Sequence, residues 1–181
     1  MAKNNFDRKV INDFGNEWES YDQSSVDSKE LKKQFSDYFK LFSWQEKITN
    51  GIGVDFGCGT GRWAKFVSEK VNFLICIDAS NKAIKVAKRN LWDKNNCHVI
   101  QGRIDTLPIL DNSLDFAYSL GVLHHLPNTE QALKKCINKL KPGAPFLLYL
   151  YYAFDNRPYW YLLIWKCSDM FRKIISKAPF R

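Results

Sequence analysis

Short apolar runs alternate with amphipathic stretches between residues 51 and 152. The runs are Gly51 to Phe56, Phe73 to Ile77, Cys97 to Gln101, Leu114 to Leu120 and Phe146 to Tyr152, each the length of a strand. A helix is predicted from Arg62 to about residue 70. Ser80 can cap a second that carries Ala83, Ile84, Ala87 and Leu91 on one face. Asn128 or Thr129 opens a third, with Ala132, Leu133, Cys136, Ile137 and Leu140 inward and Pro142-Gly143 as its stop. Asp111-Asn112-Ser113 supplies turn chemistry ahead of the fourth strand. Strands alternating with helices predict parallel βαβ units. The fold class is therefore α/β, a doubly wound, mostly parallel sheet with helices on both faces.

The two ends carry a different pattern. Residues 1–48 are polar but studded with aromatics, and Leu31, Phe35, Tyr38/Phe39 and Phe42 recur at steps of three and four. They read as a helical extension of the α/β domain at 49–153. After Asp155-Asn156-Arg157-Pro158, Trp160, Ile164, Cys167, Phe171 and Ile174 form one face of a helix within 154–181, which is assigned to the same domain. Arg172, Lys173, Lys177 and Arg181 make its end basic. Such a helix either packs on the core or makes peripheral contact with a membrane or lipid.

Composition narrows the classes. A chain of 181 residues, 45% hydrophobic and 25% charged, suits one domain with a sizeable core. No apolar run follows Met1-Ala2-Lys3-Asn4-Asn5, so no secretory signal is read there. The stretch Tyr159 to Trp165 is far shorter than the roughly 20 residues a membrane span needs. Cysteines 58, 76, 97, 136 and 167 show no C-x-x-C pairing, which implies reduced thiols, a cytoplasmic setting and no metal site. A net charge of +8 leaves open a solvated basic surface or a polyanionic partner. No single run is strongly basic, so sequence-specific nucleic-acid binding is not expected.

The chemistry concentrates in Val54-Asp55-Phe56-Gly57-Cys58-Gly59-Thr60-Gly61. Glycine at alternate positions lets a strand turn sharply into a helix and lets a ligand lie on bare backbone, near the positive end of that helix. Asp78 closes the next strand about 20 residues on, where a carboxylate can take ribose hydroxyls. Together they read as a nucleoside-binding unit. A dinucleotide fold wants G-x-G-x-x-G, but the sixth position from Gly57 is Arg62 and the third glycine is Gly61. No P-loop lysine follows.

With Asp55 leading it, the run resembles the D/E-x-G-x-G-x-G motif of class I S-adenosylmethionine-dependent methyltransferases. Leu107-Pro108, Asp111-Asn112-Ser113-Leu114-Asp115, Ser119-Leu120-Gly121-Val122-Leu123-His124-His125 and Leu140-Lys141-Pro142-Gly143 are similar, in family order, to segments of the "type 11" (ubiquinone/menaquinone-methyltransferase-like) branch. The resemblance covers residues 51–152 and implies a Rossmann-like fold, S-adenosyl-L-methionine as cofactor and S-adenosyl-L-homocysteine as product. It implies that Gly57, Cys58, Gly59 and Gly61 cradle the methionine and ribose part, and that Asp78, with Ala79 beside it, holds the ribose. Asp55 either organises the turn and the methionine ammonium or is a buried acid satisfied by backbone. The family's G-D-A after strand three reads Gly102-Arg103-Ile104-Asp105 here. Arg103 cannot accept a hydrogen bond from the adenine amino group, which leaves the Ile104 amide and Asp105 as candidate contacts. Ser119 is placed at the cofactor. His124 and His125 are candidates for a general base, or for lining the acceptor site. The usual seven strands end in an antiparallel pair that this chain lacks, as in a truncated or an unusually short member.

Methyl transfer needs mainly alignment of donor and acceptor, so the cofactor motifs do not identify the acceptor. The chain has no Pro-Cys pair and no [D/N/S]-P-P-[Y/F/W] after strand four. Phe14-Gly15-Asn16-Glu17-Trp18 resembles the opening of some methyltransferases of bacterial surface-polysaccharide and lipid pathways, which implies a small-molecule or lipid/saccharide-linked acceptor; its aromatics either form a lid over the cofactor or pack as an ordinary extension. Two alternatives stand: a catalytically inactive S-adenosylmethionine-binding or interaction module, and a nucleotide-dependent oxidoreductase, which the glycine spacing disfavours. Oligomeric state is not legible.

Overall fold

Five parallel strands form a single sheet in the computed structural model, which describes residues 5–23, 26–151 and 157–175. They are β1 (Ile52–Phe56), β2 (Phe73–Asp78), β3 (Cys97–Gln101), β4 (Phe116–Leu120) and β5 (Phe146–Tyr149), in the spatial order β3-β2-β1-β4-β5. Asp55 is opposite Cys76 on one side and Tyr118 on the other. The chain winds outward from β1 through β2 to β3, then crosses back to β4 and β5. The strand order therefore reverses between β1 and β4, where ligands of such sheets bind. The expected fold class holds, and the described residues add no sixth or seventh strand. β4 starts two residues later than its apolar run, because Leu114 makes only an isolated bridge to Leu140.

The helices cover both faces. On one, α6 (Thr129–Lys139) buries Ala132 and Cys136 with Leu140 against Val54, Phe56 and Ala117. Asn128 caps it by accepting from the Gln131 amide at 2.8 Å. The other face takes α5 (Asn81–Asn90), capped by Ser80, through Ile84 and Ala87. Between β1 and β2 the expected helix over 62–70 shrinks to α4 (Ala64–Val67), closed by a 3-10 turn at Ser68–Lys70. Four residues cover little sheet, and the N-terminal extension fills the gap.

That extension holds α1 (Arg8–Ser20) and α2 (Ser28–Tyr38); α3 (Glu46–Thr49) follows before β1. Phe35 of α2, then Phe39 and Phe42, are almost fully buried against the sheet. Phe39 meets Tyr118 edge-on at 5.2 Å, and Phe42 meets Phe116 at 6.0 Å. Each buried phenylalanine stabilises the fold by about 2 kcal/mol, so the extension is core material.

The chain falls into two compact units, Met1–Leu150 and Tyr151–Arg181. The sequence places a boundary at 153/154 and counts the last helix in the α/β domain; the second compact unit begins at Tyr151. Within it lies α7 (Tyr159–Ile175). No helix among the described residues is long and apolar enough to cross a membrane.

Candidate functional site

β1 ends under its own turn. The amides of Gly57 and Cys58 both donate to the Ile77 carbonyl, at 2.8 and 2.9 Å, which folds the turn across the end of β2. Gly57 has φ +83°, and a Cβ there would sit 2.5 Å from the Val122 methyls. Gly59 has φ +53°, and a Cβ there would press on the Trp18 indole at 3.3 Å. Both positions need the left-handed region that glycine enters without strain.

Asp78 is bound into the same turn. Its Oδ2 accepts from the Gly59 amide at 3.0 Å and its Oδ1 from the Ser80 amide at 2.8 Å. Burial raises its pKa, while the amides of Ser80, Gly59 and Ala79 pull it back. With about four lone-pair sites on its two oxygens, the carboxylate keeps acceptor capacity for a hydroxyl. The turn and the acid, 19 residues apart, thus act as one rigid piece.

A cavity of about 160 Å³ lies over this piece, at the carboxyl ends of β1 to β4. One ordered water needs only about 10–15 Å³, so the space is sized for a molecule. Its floor is the turn with Asp78, Ala79 and Gly102 to Ile104; its roof is Phe6 with Val10, Phe14 and Trp18 of α1. Asn5 and Asn128 exchange hydrogen bonds at 2.8 and 2.7 Å and pin the start of the roof. Gly15 lies on Ser80, Glu19 pairs with Lys82, and Asp22 meets Arg89 at 2.5 Å. Arg103 stacks over the Phe6 ring at 4.3 Å.

The structure brings Gly57, Cys58, Gly59, Asp78, Ala79, Ile104 and His125 to the cavity wall. Others expected there lie elsewhere. Ser119 is fully buried and donates its hydroxyl to the Phe56 carbonyl at 2.9 Å, bracing the end of β1. Alternation along β4 points it into the interior. Gly61 makes room for helix packing, since a Cβ would meet Leu91 at 2.9 Å. The Asp105 side chain lies outside the described structure.

Asp55 sits beneath the turn, off the cavity wall. Its pKa is raised to about 8, chiefly by burial, with the neighbouring Tyr118 hydroxyl opposing the shift. Neither Asp55 Oδ2 nor the Tyr118 hydroxyl completes a hydrogen bond of normal geometry. His124 and His125 have ring centroids 4.0 Å apart, but only His125 lines the cavity, against Phe14 at 4.6 Å. Burial lowers both imidazole pKa values, and His124 lowers that of His125 further. Val122, within the segment quoted after strand four, lines the cavity too; Arg62 and Trp63 also line it and were not foreseen, nor were Phe6 and Val10. Arg62 stacks over Trp63 at 4.3 Å.

Residues 54–148 match the methyltransferase domain family, just over half of the chain. The chain belongs to that family. Demethylmenaquinone methyltransferase of Staphylococcus saprophyticus is 27% identical over 146 residues, covering 66% of this methyltransferase domain chain and 63% of that protein. YcgJ of Bacillus subtilis, an uncharacterized methyltransferase, is 30% identical over 102 residues, or 55% of this chain and 40% of its own. The YcgJ crystal structure superposes with a TM-score of 0.58 at 25% identity, over 70% of this chain and 52% of that one. A SAM-dependent methyltransferase from Aquifex aeolicus shares the fold, with a TM-score of 0.57 at 21% identity over 68% of each chain. The methyltransferase domain chain spans between 23% and 63% of the length of the curated relatives it matches.

Proposed function

We propose that this methyltransferase domain binds S-adenosyl-L-methionine and transfers its methyl group to a small-molecule or lipid/saccharide-linked acceptor. The observation that carries the reading is the single piece made by Gly57–Gly61 and Asp78, facing a cavity at the strand-order reversal. The residues fit the cofactor: two glycine positions whose side chains would fill the cradle, and a carboxylate with acceptor directions to spare.

In this reading the turn at Gly57, Cys58 and Gly59 holds the methionine and ribose part on bare backbone. Asp78 accepts from the ribose hydroxyls, with Ala79 beside it, and Ile104 carries the adenine end. Gly61 and Ser119 act indirectly, one by packing α5 close and the other by bracing β1. Asp55 supports the turn from below. The cofactor, when bound, supplies a methyl group already activated on sulfonium sulfur. What remains for the chain is to align an acceptor, exclude water and hold a proton. The roof of α1 excludes water. His125, whose pKa is lowered by burial and then by His124, lines the cavity and is the better placed of the two histidines to take a proton from an acceptor. The Staphylococcus relative is named a demethylmenaquinone methyltransferase, which supports an acceptor of that kind here.

Titration of the full chain with S-adenosylhomocysteine tests the cofactor. Asp78→Ala should weaken binding by at least about a hundredfold, since each charge-assisted hydrogen bond contributes about 1.5–3 kcal/mol. Undiminished affinity would sink the ribose assignment. Transfer of labelled methyl to lipid and small-molecule fractions then separates an enzyme from an inactive binding module.

A further inference from the structure

The helix α7 exposes much of its apolar side-chain surface. Trp160, Leu163, Ile164, Met170 and Phe171 are each more than half exposed. At 100° per residue they occupy one continuous arc with Tyr159 and Cys167. The less exposed positions, Tyr161, Leu162 and Asp169, lie on the opposite arc. Large contiguous apolar surfaces mark an interaction site.

Charge says what covers it. The positions of Lys166 and Lys173 border one edge of the arc, and Arg172 stands beyond the other. Residues 151–181 hold six Lys or Arg against two Asp, half of the chain's net charge of +8. A second copy of the same helix would set these cations against their own kind. An anionic surface would pair with them. At 1.5 Å per residue the 17-residue helix is about 26 Å long, and the apolar arc runs along most of that length, as lying flat on a bilayer requires.

We propose that Tyr159–Ile175 seats on an anionic lipid bilayer. Trp160, Leu163, Ile164 and Phe171 enter the headgroup–acyl boundary, and the flanking lysines and arginine meet headgroup phosphates. This surface is independent of the cofactor assignment.

The test uses the full chain and sedimentation with vesicles of phosphatidylcholine alone or mixed with phosphatidylglycerol. Binding is expected on the anionic vesicles, at least about tenfold weaker on neutral ones, and salt-sensitive. Lys166→Glu/Arg172→Glu/Lys173→Glu should weaken it about a hundredfold, since each cation near the surface is worth roughly fivefold. Leu163→Glu/Phe171→Glu should abolish it through the apolar arc. Thermal melts of both variants confirm that the α/β unit remains folded. Absence of binding to anionic vesicles overturns the proposal, as does binding that neither variant weakens. A concentration-dependent dimer that Leu163→Glu/Phe171→Glu dissolves, without vesicle binding, also overturns it and assigns the face to a second copy.

Discussion

The floor and the roof of the cavity are built from different interactions. The floor is backbone: two amides on the Ile77 carbonyl, and the Gly59 and Ser80 amides on Asp78, within a turn that side chains cannot enter. The roof is side chain: aromatic contacts, the Asn5–Asn128 pair, and ion pairs to α5 from Glu19 of α1 and from Asp22 just after it. Buried backbone bonds in a packed turn hold one geometry, because every alternative leaves groups unpaired. Exposed ion pairs contribute little and are screened by salt. A floor that is fixed under a roof that can lift suits a ligand that must enter and leave.

Breaking the floor should cost most. Gly57→Ala forces a left-handed conformation worth about 1–2 kcal/mol on a residue with a Cβ. It also drives that Cβ into Val122, and overpacking adds about 1–3 kcal/mol. Stability in a urea melt should fall by roughly 3 kcal/mol, and S-adenosylhomocysteine binding should disappear. A variant that melts like the parent would show that the turn is not rigid, and the contrast with the roof would collapse.

Asp55 extends the comparison downward, beneath the floor. Its folded pKa of about 8 lies above the ordinary carboxylate value of 3.8. Between those values the unfolded chain has lost the proton and the folded chain keeps it, so stability falls as pH rises from about 4 to about 8, then levels off. Asp78, also raised, adds a loss of the same sign. Asp55→Asn keeps the volume and removes the titration. It should match the parent near pH 4 and exceed it by a few kcal/mol, on the order of one pKa unit per 1.4 kcal/mol, near pH 8. Parallel stability curves for the two proteins would show that the acid is not held neutral.

The difference between floor and roof also explains what the sequence could show. The turn was legible because positive φ at Gly57 and Gly59 writes itself as glycine, and Asp78 because a strand end fixes its place relative to that turn. The strands followed from their apolar runs. Ser119 was misplaced because β4 is buried on both faces, so alternation leaves no polar mark to tell interior from cavity. The periodicity of Phe35, Phe39 and Phe42 gave a face but not its target, which depends on how little sheet α4 covers. Phe14 and Trp18 were foreseen as candidates for a lid through a resemblance. Phe6 and Val10 had no local signal, since a roof contributed from some 50 residues upstream is a tertiary event.

The roof supplies the smallest effect and the sharpest discrimination. Trp18 is only partly buried and rests on Gly59. Trp18→Ala should therefore cost about 1 kcal/mol of stability, less than full burial of an aromatic would be worth. If α1 closes over the ligand, the same change should weaken S-adenosylhomocysteine about tenfold, because the indole contributes apolar cover that water cannot replace. Trp18→Phe should recover most of the affinity. Loss of stability without loss of affinity would make Trp18 a packing residue and leave α1 outside the binding event. Loss of affinity at nearly constant stability is the result that separates a closing roof from a fixed floor, since Gly57→Ala must lose both together.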